Sequence, residues 1–333
     1  MAIFVGSGAL NLDLFYEVSE LAELSFPGVE FRPGGEAAGD RETLYALRDY
    51  LEARGRFVAA LGGGSAANTV WALSRFGFKT AFIGAAGRDE EGERALAELA
   101  EEGVDLSRVV ISGTTGMALI VLDRRRDRFI FVSPGTAEKA LAEFDPPLKK
   151  GEWLHLSSLI TGEGLAFHRR LIRRAFGPTS LDPGEIYAAR GFKTLRPLLE
   201  RTSLLFITEA ELDTLGLPPE RLLATGPELI FVKRGPRGVT VFSRRNGAFS
   251  LPAESPPRVV DNTGAGDFFN AGVLAGLARG LSPEAAARLG VTVAAVSLRD
   301  YGRRGCPSRK EFLNWLGELF AGDKRNGTSR RYG

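Results

Sequence analysis

Val259-Val260-Asp261-Asn262-Thr263-Gly264-Ala265-Gly266-Asp267-Phe268-Phe269 sets backbone amides free of bulky side chains directly before a carboxylate, at the start of an apolar, Ala- and Gly-rich run. Gly264 and Gly266 can take φ > 0 at little cost and Ala265 leaves the loop bare. The run from Phe268 to Leu277 then reads as a buried helix whose first amides face an anion. A transferring phosphoryl group needs preorganised donors for its charge and an acceptor for the proton of the attacking hydroxyl. Asp267 is the candidate acceptor, and the helix start is expected to lower its pKa and keep it ionised. A plain helix cap is the alternative reading of Asp267. Its surroundings favour the site: Arg258 to Asp261 reads as the end of a strand, and four further segments point the same way.

Three glycines open a second helix in Leu61-Gly62-Gly63-Gly64-Ser65-Ala66-Ala67-Asn68-Thr69-Val70. Bare backbone lets a ligand come close there, and Asn68, on the first helical turn, offers a donor and an acceptor to a polyol. The chain opens with Ile3 to Phe15, read as one strand whose alternation turns Asn11 and Asp13 to the same side. Leu204-Leu205-Phe206-Ile207-Thr208-Glu209-Ala210-Glu211 is an apolar strand followed by acidic residues at a helix start, suited to orient a hydrated magnesium ion on nucleotide phosphates. Ordinary capping is the alternative for Thr208 and Glu211. Leu229 to Phe242 reads as two strands joined by a Gly235-Pro236 turn, whose cations and free amides are suited to meet nucleotide phosphates; for Arg234 and Arg237 a solvated basic hairpin is the alternative.

The run Asp261 to Gly272 resembles the C-terminal signature of the ribokinase-like (PfkB) carbohydrate kinase family, and the likeness extends over almost the whole chain. The resemblance implies Asp267 as catalytic base and the Gly264, Ala265 and Gly266 amides as an anion hole. It implies that Gly63, Gly64 and Asn68, with Asn11 and Asp13, bind substrate, and that Lys233 and Gly235 contact ATP. The family pattern Asn-x-x-Glu is met at Glu211, the expected water-mediated magnesium contact, while Thr208 stands in place of the asparagine. A threonine hydroxyl has fewer hydrogen-bonding groups and a shorter reach. ATP and Mg²⁺ are the implied cofactors, with a potassium ion at Asp261 and Thr263 and carbonyls from the loop Arg299 to Gly305.

Strand-like runs at 3–8, 80–86, 153–160, 203–207 and 228–233 alternate with helical patterns at 68–77, 90–103, 166–176, 191–200 and 283–298. That spacing predicts βαβ units and a mostly parallel sheet covered on both faces. The resemblance implies a ribokinase-like three-layer α/β sandwich, one domain over residues 1–322. Residues 14–35 and the pair 115–123 and 128–134 read as short strands outside the main sheet. In the family such strands form a small β-lid over the substrate, which keeps water from ATP and serves some relatives as a homodimer contact.

The acceptor is less defined. Family resemblance puts a sugar or sugar derivative first, phosphorylated at a primary hydroxyl. Helical spacing at 41–52 before the Gly-Gly-Ser segment resembles the adenosine kinase branch, so a nucleoside is the alternative. Phe15, Phe31 or Phe131 would stack on a base, with core or lid packing as their plainer role. A ribokinase-like protein that binds sugar or nucleotide without turnover is a reading of another class; Asp267 argues against it and Thr208 for it.

Composition excludes other classes. The chain has 333 residues, 44% hydrophobic, and a formal charge of +2, which gives no electrostatic case for nucleic acid. No apolar run reaches the ~18 residues of a membrane span, and Met1 to Val5 enters a strand without a basic leader, so neither membrane nor export is expected. Cys306 is the only cysteine, which fits a reducing cytoplasm. No Gly-x-x-x-x-Gly-Lys-Ser/Thr occurs, and Gly6-Ser7-Gly8 lacks the third glycine of a dinucleotide fingerprint. His155 and His168 have no metal-binding companions, and the polar tail 323–333 is expected to be disordered and solubilising.

Overall fold

Uninterrupted apolar runs such as Leu204 to Ile207 and Leu229 to Val232 have no polar face to give to water, so they suit inner strands of a sheet covered on both sides. The computed structural model, which describes residues 3–325 apart from Ser255 and Pro257, puts them there. The first half contains β1 (Ile3–Ser7), β2 (Asn11–Glu17), β3 (Glu36–Ala38), α1 (Arg41–Glu52), β4 (Arg56–Gly63), α2 (Ser65–Arg75), β5 (Lys79–Ala86), α3 (Glu90–Glu101), β6 (Asp105–Ile111), β7 (Gly116–Leu122) and β8 (Arg128–Ser133). The second half contains β9 (Glu152–Ser157), α4 (Gly162–Arg173), β10 (Thr179–Asp182), α5 (Gly184–Ala189), α6 (Phe192–Leu199), β11 (Leu204–Thr208), α7 (Glu209–Leu215), α8 (Pro219–Thr225), β12 (Leu229–Lys233), β13 (Val239–Ser243), β14 (Gly247–Leu251), α9 (Ala265–Ala278), α10 (Pro283–Ser297) and α11 (Arg309–Arg325).

The main sheet runs β14-β13-β12-β11-β10-β9-β1-β5-β6, parallel from β12 to β6, with β13 and β14 antiparallel at one edge. Alternation divides its side chains between two cores. Phe4, Phe206 and Phe231 pack under α2, α9, α10 and α11, while Val5, Leu205, Ile207, Ile230 and Val232 pack under α4 to α8. Helices on both faces make the expected three-layer ribokinase-like α/β fold.

Small residues let α9 lie close, but the close approach is to α10 rather than to the sheet. A Cβ on Gly272 would stand 2.8 Å from the Gly290 Cα, and one on Gly276 3.1 Å from the Ala286 Cα.

A second sheet has the order β3-β8-β7-β2-β4. One face carries Leu12, Leu14 and Tyr16 onto α1; the other carries Phe15, Leu61 and Ile120 on the side of Asp13. The expected lid strands at 115–123 and 128–134 are β7 and β8, but the reading of 14–35 needs correction. Its strand lies at β2, residues 20–35 form only a short turn and an isolated bridge, and β4 supplies the strand assigned to them. Phe31 and Phe131 pack on the α1 side, leaving Phe15 as the one of the three on the face of Asp13.

Three further expectations differ. Ile3 to Phe15 is two strands in two sheets, parted at residues 8–10, where the Ser157 hydroxyl occupies the space a Cβ on Gly8 would need. Arg258 to Asp261 is not a strand: the Val260 and Asp261 amides both turn to the Leu298 carbonyl, away from any ladder. The polar end of the chain is helical to Arg325, and Asp323 accepts hydrogen bonds from the Ser282 amide and hydroxyl at 2.9 and 2.7 Å. Residues 326–333 lie outside the described residues. Among those described, no helix is long and apolar enough to cross a membrane.

Candidate active site

Strands β10, β11 and β12 end at Asp182, Thr208 and Lys233, so the polar residues that close these apolar runs collect at one edge of the parallel sheet, where open α/β folds hold ligands. The signature turn meets them there. Gly264 is left-handed (φ 79°), a conformation that starts α9 without a side-chain cap. The Ala265 amide donates to the Asn262 carbonyl at 3.3 Å, and those of Asp267 and Phe268 both donate to the Gly264 carbonyl. The Gly264 and Gly266 amides have no acceptor among the described residues.

Asp267 receives two hydrogen bonds across the cleft, from Ser65 Oγ to Oδ1 at 2.5 Å and from Asn68 Nδ2 to Oδ2 at 2.8 Å. The expectation of a lowered pKa is wrong. Loss of water around the carboxyl raises it to about 6, against the pull of the Ser65 and Asn68 donors.

The three glycines before α2 each answer to a different neighbour. A Cβ on Gly62 would collide with the Arg303 guanidinium, one on Gly63 with the Asp13 carboxylate, and one on Gly64 (φ 101°) with the Ala9 carbonyl. Bare backbone here therefore admits side chains of the protein as well as any ligand. Asp13 is buried on Gly63, and burial pushes its carboxyl up to about 7, opposed by Arg303 and reinforced by Asp267. Asn11 lies beside it on the same face of β2, half-buried and packed against Gly116. Asn68 is buried between two charges: its Nδ2 serves Asp267, and its Oδ1 accepts from Arg303 Nε at 2.9 Å.

On the other side of Asp267, Lys233 Nζ pairs with Asp182 Oδ2 at 2.5 Å and comes close over Gly266. Burial opposes its charge, but Asp182 and Glu211 prevail and hold its pKa above the ordinary lysine value. Asn270 Nδ2 donates to the same Asp182 oxygen at 2.6 Å. Thr208 and Glu211 form a capping box, Thr208 Oγ1 accepting from the Glu211 amide at 3.2 Å and Glu211 Oε2 from the Thr208 amide at 2.9 Å. Burial, with Asp182 adding, raises Glu211 to about 7. Gly235 takes φ 55° in open space, and Arg234 and Arg237 both turn back to Glu209 rather than to solvent alone.

Asp261 is buried and fully engaged. Its Oδ1 accepts from the Thr263 amide and hydroxyl at 2.9 and 2.7 Å, and its Oδ2 from the Gly302 amide at 2.9 Å. These bonds tie the signature turn to the loop after α10.

Asp13, Asn68, Asp267, Lys233 and Glu211 are thus brought into one electrostatic cluster. The sequence reading passed over Ser65, Asp182, Asn270 and Arg303. A polar end to a short strand before Pro183 was a visible signal for Asp182, and Ser65 lay inside a segment already singled out. Nothing local marked Arg303. Both histidines are structural: His168 joins Ser7 to Tyr187 and His155 reaches Ser180, each buried and held neutral by burial.

A carboxylate at a helix start, two amides beside it without an acceptor among the described residues and a buried lysine at the strand ends are parts that a phosphoryl-transfer site requires. The model of the pfkB family carbohydrate kinases matches residues 42–310. An uncharacterized sugar kinase of Archaeoglobus fulgidus is 36% identical over 246 residues, 71% of this chain and 98% of its own length. A fructokinase of Salmonella typhimurium is 31% identical over 258 residues, 70% of this chain and 82% of its own. The chain belongs to the pfkB family of carbohydrate kinases. The crystal structure of a Methanocaldococcus jannaschii nucleoside kinase, a member of the ribokinase family, has the same fold, with a TM-score of 0.75, 21% identity and coverage of 96% of this chain and 99% of that one.

Proposed function

We propose that the protein transfers the γ-phosphate of ATP to a primary hydroxyl of a sugar or sugar derivative, with Asp267 as general base. The carrying observation is the Asp267 carboxylate, oriented by Ser65 and Asn68 and flanked by the Gly264 and Gly266 amides. A base with a pKa of about 6 is ionised at neutral pH and still basic enough to take a proton as the phosphoryl group moves. The free amides suit charge developing on that group, and Lys233 adds a cation beside Gly266.

Magnesium fits this site as an ion held chiefly by nucleotide phosphates and water. Among the described residues no three His, Cys, Asp or Glu side chains converge as a cage. Asp182 acts on Glu211 as a like charge, and Asn270 Oδ1, next to Asp182, is buried without a partner among the described residues. Bound there, the ion would spread the charge of the phosphates. Asp182 and Glu211 would face its water shell. Potassium has less support, because Asp261 and Thr263 are hydrogen-bonded to the chain and to each other.

A nucleoside acceptor is the second reading. It is favoured by the apolar face of Phe15, Leu61 and Ile120, with Tyr301 packed against it, on the same side of the lid as Asp13. A coupled ADP-release assay with Mg-ATP and potassium, across sugars, sugar acids and nucleosides, separates these readings. Turnover on a sugar supports the first, turnover on nucleosides alone the second. Ligand-induced thermal shifts without any turnover would replace both with a binding protein.

A further inference from the structure

Arg303 lies on the loop after α10, and its guanidinium is buried at the centre of the acceptor side of the site. Nε donates to Asn68 Oδ1 at 2.9 Å and Nη1 to Glu98 Oε2 at 3.3 Å. The same Glu98 oxygen accepts from the Gly62 amide at 2.8 Å, and Gly62 has no side chain to obstruct the guanidinium. The adjoining Gly302 amide is anchored on Asp261. This is a built position, yet Nη2 is buried and has no acceptor among the described residues. Buried guanidinium nitrogens are rarely left unpaired, and a ligand oxygen is the economical partner in a binding cleft.

Resting on the kinase reading above, we propose that Arg303 determines acceptor specificity: it fixes the Asn68 amide with Nδ2 toward Asp267, and it offers Nη2 to an oxygen of a neutral, hydroxyl-bearing acceptor. Charge selects the neutral class. Asp13, Glu98 and Asp267 all act on this one guanidinium, and Lys233 is already paired with Asp182. An acceptor carboxylate or phosphate would enter beside three acidic groups, Asp13, Glu98 and Asp267, against Arg303 and the already paired Lys233. A hydroxyl accepts from Nη2 and adds no charge.

The test is calorimetric binding without nucleotide, using ribose, fructose and adenosine as neutral probes and gluconate and ribose 5-phosphate as acidic ones. Wild type is expected to bind at least one neutral probe, and each acidic probe at least about ten-fold more weakly. Arg303→Met is expected to weaken the neutral probe by roughly 10- to 100-fold, with ADP binding kept within about two-fold. Arg303→Lys recovers part of the loss, since an ammonium can serve one acceptor but not the planar set. Where a probe is also phosphorylated, Arg303→Met raises the pH of the acid limb of kcat, because Asn68 is no longer held on Asp267. Wild-type binding in Arg303→Met, acidic probes bound as tightly as neutral ones, or no neutral probe bound by wild type each overturns the proposal. Binding that depends on Arg303 without turnover would sink the kinase reading and keep this one, and the wild-type comparison stands even where a variant fails to fold.

Discussion

Ser65→Ala removes one of the two donors to Asp267, and its effect follows from the geometry. The Ser65 hydroxyl lies 2.5 Å from Oδ1 and favours the ionised carboxylate, opposing the burial that raises the pKa to about 6. A hydrogen bond to a charged group contributes about 1.5–3 kcal/mol, and one pKa unit is about 1.36 kcal/mol, so its loss moves Asp267 up by roughly one to two units. The ionised fraction at pH 7 then falls from roughly nine-tenths to between a half and a tenth. The direction is fixed: the base works when deprotonated, so wild-type kcat declines as pH falls through about 6, and in the variant this decline begins at higher pH. Above about pH 9 the two enzymes converge. Steady-state ADP release from pH 5 to 10, with both substrates saturating, reads this directly. A uniform drop at every pH with the acid limb in place would show that Ser65 does not act through Asp267, and the reasoning would be refuted.

Lys233→Met removes the cation shared by Asp182 and Glu211 and is expected to raise KM for ATP by roughly 10- to 100-fold, measured by varying ATP at saturating acceptor. Unchanged KM would remove Lys233 from the nucleotide site. Remote from the chemistry, Arg108 holds Glu152 through two nitrogens in a nearly dry pair at 3.1 and 3.0 Å. Arg108→Met leaves that carboxylate buried without a countercharge, held only by the Lys149 amide at 2.8 Å, and should cost about 3–5 kcal/mol in urea unfolding; a loss below ~1 kcal/mol would contradict it.

What the sequence made legible follows from which forces are local. Apolar runs such as Leu229 to Val232 can be satisfied only inside a covered sheet, so the inner strands and their helices were readable from periodicity. The signature turn was readable because Gly264 takes a conformation in which a side chain is strained. Strands β4 and β10 were passed over because Arg56-Phe57-Val58 and Thr179-Ser180 carry partly polar or exposed residues, and their pairing is decided by distant strands. The pKa of Asp267 was misread for a related reason: a helix start is visible in sequence, whereas the burial that raises the pKa is a product of the tertiary fold, as are the opposing hydrogen bonds from Asn68 and Ser65, some two hundred residues away. Arg303 and Asp182 act through tertiary contacts alone, with Asn68 and Lys233.

Asp267→Asn tests the central claim most directly, with turnover and binding measured side by side. The amide keeps the shape of the carboxylate and cannot take the proton, so kcat should fall by roughly 10²–10⁴-fold while ADP and acceptor still raise the melting temperature. Turnover at the wild-type rate in that variant would contradict the assignment of Asp267 as the base.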